Sequence, residues 1–147
     1  MTERCLANWG RFKLEKRGNL IDGVQDGLWE EFHENGQLET KENYIDGKED
    51  GLYENFHDNG KLKMRGNVIN GKDDGLMEFF DEDGQLFSRR NYINGKPDRL
   101  NEWFYPNGQL RTRGKLIDGK EEGLWEFFDQ DGNLTTTGTF RNGELVE

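Results

Sequence analysis

The stretch Gly71-Lys-Asp-Asp-Gly-Leu-Met-Glu-Phe-Phe-Asp-Glu-Asp-Gly-Gln-Leu86 decides the fold, because the chain repeats it. It returns as GKEDGLYENFHDNGKL from Gly47, as GKPDRLNEWFYPNGQL from Gly95 and as GKEEGLWEFFDQDGNL from Gly119. A more divergent copy, GVQDGLWEEFHENGQL, opens at Gly23, so the copies start at 23, 47, 71, 95 and 119, 24 residues apart. A fixed period in this range marks a repeat architecture, in which each unit buries its apolar face only against its neighbours. We divide the chain as one repeat domain: a partial unit 1–22, full units 23–46, 47–70, 71–94, 95–118 and 119–142, and a remnant 143–147. The partial unit keeps the second half of the repeat, with the first half missing or remodelled around Trp9.

Composition narrows the fold. The 147 residues are 31% hydrophobic and 34% charged with a net charge of −10, values that alone lean toward disorder. Aromatic residues at 12% recur in register and overrule that reading. So polar a chain builds a thin sheet more readily than a thick globular core.

Within a unit, Gly51–His57 mixes large apolar and polar residues at strand length, and Leu62–Ile69 is a return strand. Gly interrupts too often for a helix of ordinary length. Asn59-Gly60 between the two runs predicts a two-residue type I′ hairpin turn, because both central residues need positive φ. Asn35-Gly36, Asp83-Gly84, Asn107-Gly108 and Asp131-Gly132 repeat it. The segment Asn70–Gly75 is expected to be a second, longer turn. With this register position i faces 119−i, which sets Glu54 opposite Arg65. Equivalent pairs are Glu30 and Lys41, Glu78 and Arg89, Glu102 and Arg113, while Glu126 meets Thr137 and breaks the series. Opposite charges across strands contribute roughly 0.2–1 kcal/mol, so they fix register more than they stabilise. The same rule places Tyr53 over Gly66 and Trp125 over Gly138. Alternation puts Leu52, Glu54, Phe56 and Ile45 on one face. The other carries the Trp29/Tyr53/Met77/Asn101/Trp125 column, the Glu31/Asn55/Phe79/Trp103/Phe127 column and the Leu38/Leu62/Leu86/Leu110/Leu134 row. The fold class is all-β: an elongated single-layer antiparallel meander of β-hairpin repeats, twisted into a trough.

Gly66-Asn-Val-Ile-Asn-Gly-Lys-Asp-Asp-Gly75, followed by an aromatic strand and Asp-Gly, resembles the MORN repeat. The Gly-Lys-x-Asp/Glu-Gly-Leu-Trp and Glu-Asn-Gly-Gln-Leu phrases are closer still to its bacterial variant, and the resemblance runs from Gly18 to Gly143. It implies a meandering sheet used for binding or assembly, commonly in antitoxin or immunity proteins, and no shared catalytic residues. The fourth unit departs from the pattern. Arg99 replaces a glycine, Asn101 an aromatic, and Pro97 and Pro106 occur only there, so regular stacking is in question over residues 95–107.

The chemistry-bearing residues point away from catalysis. The Glu30/Glu54/Glu78/Glu102/Glu126 column reads as a register ladder, since each carboxylate except Glu126 faces a cation. His33 and His57 lie two strands apart, too far to share a zinc ion, and read as solvated. Asp81-Glu-Asp83-Gly and Asp129-Gln-Asp131-Gly read as turn chemistry, because the rest of a calcium loop is absent. Cys5 is the only cysteine and excludes an intramolecular disulfide. No cofactor, metal or catalytic residue is expected. The acidic balance argues against direct nucleic-acid binding, and no apolar run approaches membrane-spanning length. A soluble cytoplasmic protein is the resulting expectation.

The partner-binding candidates are Trp29, Tyr53, Phe79, Trp103, Trp125 and Phe127, because a single-layer sheet has no second layer to bury them all. Arg89, Arg90, Arg99, Arg111 and Arg113 form a basic cluster able to contact an anion or an acidic partner. The primary expectation is a non-enzymatic protein-binding module, most specifically an antitoxin or immunity-type inhibitor that occludes a toxin or other basic protein. The alternatives are a scaffold that forms a homodimer and a small-ligand or nucleotide-binding inhibitor encoded by a phage or plasmid.

Overall fold

A computed structural model describes the backbone of residues 2–7 and all of residues 15–147. Trp9, around which the partial first unit was expected to be remodelled, lies outside the described residues. The chain falls into two compact units, Met1–Lys72 and Asp73–Glu147.

The first unit contains β1 (Thr2–Ala7), β2 (Lys16–Ile21), β3 (Val24–Phe32), β4 (Leu38–Ile45), β5 (Lys48–Glu49), β6 (Gly51–Phe56) and β7 (Leu62–Ile69). They pair antiparallel in sequence order, β1 with β2, β2 with β3, β3 with β4, β4 with β5 and β6, and β6 with β7. The two-residue β8 (Lys72–Asp73) follows. The second unit repeats the plan with β9 (Gly75–Phe80), β10 (Leu86–Ile93), β11 (Lys96–Phe104), β12 (Leu110–Ile117), β13 (Lys120–Phe128), β14 (Leu134–Arg141) and β15 (Glu144–Leu145), again each against the next. The fold is an all-β antiparallel meander of hairpins, as the repeat and its turns predict.

The register rule holds. Glu54 pairs with Arg65, Tyr53 with Gly66, Glu30 with Lys41, Glu78 with Arg89, Glu102 with Arg113, and Trp125 with Gly138. The turns that produce it are the reverse of those expected. The type I′ turn is at Asn70-Gly71, with φ of 52° and 76°, and its equivalents are Asp22-Gly23, Asp46-Gly47, Asn94-Gly95, Asp118-Gly119 and Asn142-Gly143. At Asn59-Gly60 only the glycine has positive φ. Gly60 N donates to His57 O (2.9 Å) and His57 N to Lys61 O (2.8 Å), closing a three-residue loop. Lys61 N also donates to Asn59 Oδ1 (2.9 Å), which holds that asparagine in the turn. One extra residue then bulges on the return strand: Phe56 pairs with Leu62 but Asn55 with Met64, so the frame is restored. The bulge also moves a row of side chains. Leu62 and its equivalents share the Phe56 face and not, as expected, the aromatic one.

The supposed long turn is likewise resolved into parts. Two or three residues pair after a type I′ turn, and in the five full repeats a bulge follows at a positive-φ residue, Gly27, Gly51, Gly75, Arg99 or Gly123. In the fourth repeat β11 runs without a break and pairs with both β10 and β12, so stacking there is regular. Arg99 accomplishes this by adopting φ of 58° where the other repeats use glycine.

Successive repeats are tied through backbone and turns. Gly47 N donates to Gln25 O (2.9 Å) and Gly119 N to Pro97 O (2.9 Å). Asn35 Nδ2 reaches Asp58 O (2.6 Å) and Asn107 Nδ2 reaches Gln130 O (2.8 Å). His33 belongs to this set, since its Nε2 bonds to Phe56 O (2.8 Å) and its ring is half-buried. It is a stacking residue and not the solvated histidine expected.

Candidate partner-binding surface

One sheet face holds the core. Among the described residues, Trp29, Tyr44 and Val68 in the first unit, and Met77, Leu116 and Trp125 in the second, are the buried apolar side chains. Each tryptophan lies against a glycine of the preceding strand. A Cβ built on Gly18 falls 2.1 Å from Trp29 Cδ2, and one on Gly114 falls 2.1 Å from Trp125 Cδ2. Trp125 therefore covers Gly114 and leans away from its register partner Gly138, which Leu145 and Phe140 cover instead. Trp29 Nε1 donates to Asn19 O (3.1 Å), whereas Trp125 Nε1 has no acceptor among the described residues.

The face carries two polar groups that sequence reasoning overlooked. Glu42, pairing with Trp29 in register, is 7% exposed and accepts from Tyr44 Oη (2.9 Å). Burial pushes the Glu42 carboxyl above its ordinary value; the Tyr44 hydrogen bond opposes this, and Glu49 and Glu31 add to it. Burial and the bond to Glu42 push the Tyr44 phenol up in turn.

In the second unit two rows of this face can be followed strand by strand. Met77 pairs with Arg90, Arg90 with Asn101, Asn101 with Gly114, and Trp125 with Gly138. Beside them run Phe79, Ser88, Trp103, Thr112, Phe127 and Thr136. The Arg90 Cζ stands 5.0 Å from the Phe79 ring centroid and 5.5 Å from that of Trp103. Its Nε donates to Ser88 Oγ (3.1 Å), a side chain with no exposure at all. Trp103 packs on Trp125 with centroids 5.7 Å apart. Asn101 is fully buried; its Nδ2 donates to Arg99 O (2.8 Å) and its Oδ1 has no partner among the described residues.

The six aromatic candidates thus divide. Trp29 and Trp125, 3% and 5% exposed, are core, while Tyr53, Phe79, Trp103 and Phe127 are half-buried and contribute surface. The basic cluster disperses, because adjacent residues of a strand point to opposite faces. Arg90 alone joins the aromatic rows. Arg89 pairs with Glu78 (3.1 Å) and covers Phe104 on the other face. Arg113 pairs with Glu126 (2.5 Å) and covers Phe128. Glu126 therefore finds its cation on the strand before it, and that hydrogen bond holds its carboxyl below the ordinary value. Arg111 lies over the Tyr105 ring at 5.9 Å, and Arg99 is exposed.

The opposite face, where alternation places Leu52 and Ile45, presents uncovered aliphatic rows. Leu28, Leu52, Ile21, Ile45 and Ile69 are exposed in the first unit, and Leu76, Leu100, Leu124, Ile93 and Ile117 in the second. Their period was visible, but not that nothing would cover them.

No group of three or more His, Cys, Asp or Glu among the described residues is placed to hold a metal ion. Asp81 and Asp129 instead cap their own turns, accepting from Gln85 N (2.8 Å) and Asn133 N (2.8 Å). Among the described residues no helix is long and apolar enough to cross a membrane.

No curated protein matches the chain. Among solved structures it is similar to the crystal structure of TarM, at 20% identity and a TM-score of 0.43 over 66% of this chain and 19% of that one. A structure of an S. aureus TarM mutant with Fondaparinux, alpha-GlcNAc-glycerol and UDP is similar at 19% identity and a TM-score of 0.43, over 65% and 19%. The chain thus spans about a fifth of the proteins it resembles in structure. The MORN repeat variant matches residues 25–46, 49–70, 73–94, 100–116 and 121–142, one match per full repeat, and the chain belongs to that family.

Proposed function

We propose that this repeat module is non-enzymatic and binds another protein through the aromatic face of its second unit. One observation carries the reading: half-exposed Phe79, Trp103 and Phe127 stand in one cross-strand row with Arg90 lodged between two of them. Tryptophan, tyrosine and arginine dominate interface hot spots, and leucine is under-represented there. That preference favours this face over the aliphatic rows behind it. The finer form of the reading is an antitoxin or immunity-type inhibitor that acts by occlusion. The chain's net charge of −10 suits it to steering a partner that is basic overall. The test is affinity capture with the intact chain beside a Trp103→Ala variant. Capture of one stoichiometric protein by the intact chain, lost in the variant while its far-UV spectrum is unchanged, supports binding through this face. A toxin whose activity the intact chain suppresses supports the inhibitor role.

A second reading is favoured by the uncovered Leu76, Leu100, Leu124, Ile93 and Ile117. Such rows suit self-association into a homodimer or scaffold. A mass that rises with concentration in light scattering, and falls back in a Leu76→Ser, Leu100→Ser variant, is its signature.

A further inference from the structure

We infer that Arg90 is the anchor for a carboxylate presented by the partner, an aspartate or glutamate side chain on an exposed loop. This rests on the protein-binding reading and specifies what its surface recognises.

The guanidinium is held in one orientation. Its Nε is committed to Ser88 Oγ (3.1 Å), and the Phe79 and Trp103 rings stand 5.0 and 5.5 Å from Cζ. With Nε bound, the two terminal nitrogens form the edge that remains, and that edge has the spacing of a carboxylate. Arg17, Arg89 and Arg113 each hold a glutamate of their own chain. Arg90 has no such partner among the described residues, in a chain with 30 acidic side chains. Arg99, Arg111 and Arg141 lack one too, but they are exposed, whereas Arg90 is half-buried.

The column confirms that Arg90 is a departure. Gly18, Glu42, Gly66, Gly114 and Gly138 occupy the equivalent positions. Its register neighbours are Met77 and Asn101, where other repeats carry Trp or Tyr, so the face has been opened to admit a long cation. A partly desolvated cation without a counterion costs free energy that an incoming anion offsets. A single guanidinium matches a monoanion. A phosphate would call for further donors, and Arg89 and Arg113 are held on the other face. The rings on either side exclude water from the bound pair and accept apolar groups flanking the carboxylate.

The probe is acetyl-Ala-Asp-Ala-amide against its neutral isostere acetyl-Ala-Asn-Ala-amide, titrated into the intact chain. Binding is followed by the NMR shifts of the Arg90 Nε–H and the Trp103 indole N–H. The expected result is at least tenfold tighter binding of the Asp peptide, with that preference lost in Arg90→Gln and reduced in Arg90→Lys. Thermal unfolding of both variants checks that the fold persists. Equal binding of the two peptides, binding of neither, tighter binding of inorganic phosphate, or a preference that survives Arg90→Gln would each overturn the inference. The two claims separate cleanly. Partner capture that is lost in Trp103→Ala but indifferent to Arg90→Gln removes the carboxylate anchor and leaves the protein-binding reading. A preserved peptide preference with no captured partner removes the protein-binding reading and overturns the assignment of the carboxylate to a partner, leaving Arg90 only as a carboxylate site.

Discussion

The indole of Trp125 lies on the bare Cα of Gly114, so close that a methyl group there would sit 2.1 Å from the ring. The same relationship joins Trp29 to Gly18. In a sheet whose core occupies one face, these two contacts pack neighbouring hairpins together. Gly114→Ala should therefore cost ~1–3 kcal/mol through overpacking. In urea unfolding the midpoint should fall at unchanged slope. An unchanged midpoint would mean that the ring moves aside freely.

The pairs Asn59-Gly60 and Asn70-Gly71 should respond differently to the same substitution. Asn70 holds φ of 52°, so Asn70→Gly relieves strain and should be neutral or stabilising. Asn59→Gly removes the acceptor for Lys61 N, which contributes roughly 1 kcal/mol, and should destabilise. Thermal unfolding of the two variants decides it.

Much of the fold was legible in the sequence because the repeat fixes the register. The Glu54 and Arg65 pairing is compatible with two solutions, however: a two-residue turn, or a three-residue loop followed by a bulge. Both bring position i opposite 119−i, so the charge pattern could not choose between them. The choice lies in the side-chain oxygen of Asn59, which serves its own loop. The site was less legible, for a physical reason. Arg89 and Arg90 are neighbours in sequence and strangers in space, and a list of arginines carries no face. Trp29 and Trp125 count as surface candidates in a single-layer sheet, yet they sink onto Gly18 and Gly114 of the preceding strands, a contact that the register partners Glu42 and Gly138 do not reveal.

Arg99 carries backbone strain that its counterparts avoid. At φ of 58° a non-glycine residue costs roughly 1–3 kcal/mol, partly offset by the entropy a glycine would lose. Arg99→Gly should raise stability by roughly 1 kcal/mol. Partner capture should be unaffected, because Asn101 bonds the Arg99 carbonyl and not its side chain.

Two carboxylates should give the stability profile opposite slopes. Glu42 has its folded value raised by burial, so its contribution is complete below its unfolded pKa and is lost as pH rises through the folded value. Asp129 is lowered, chiefly by the Asn133 backbone N–H, so its contribution is complete above its unfolded pKa and is lost as pH falls through the folded value. In denaturation series between about pH 3 and 7, Glu42→Gln should remove the decline on the rising side and Asp129→Asn the decline on the acid side. Unaltered profiles would contradict the assignments.

A protein partner, as proposed, is held on the aromatic and arginine face of the second unit. The most direct measurement is quantitative affinity capture by three chains: the intact protein, Trp103→Ala, and Leu76→Ser on the opposite face. Trp103 is the residue to remove because it is half-buried, whereas loss of the core residue Trp125 would perturb the fold. The intact chain and Leu76→Ser should retain one stoichiometric protein that Trp103→Ala loses. A partner retained by Trp103→Ala and lost by Leu76→Ser would place binding on the aliphatic rows and contradict the account.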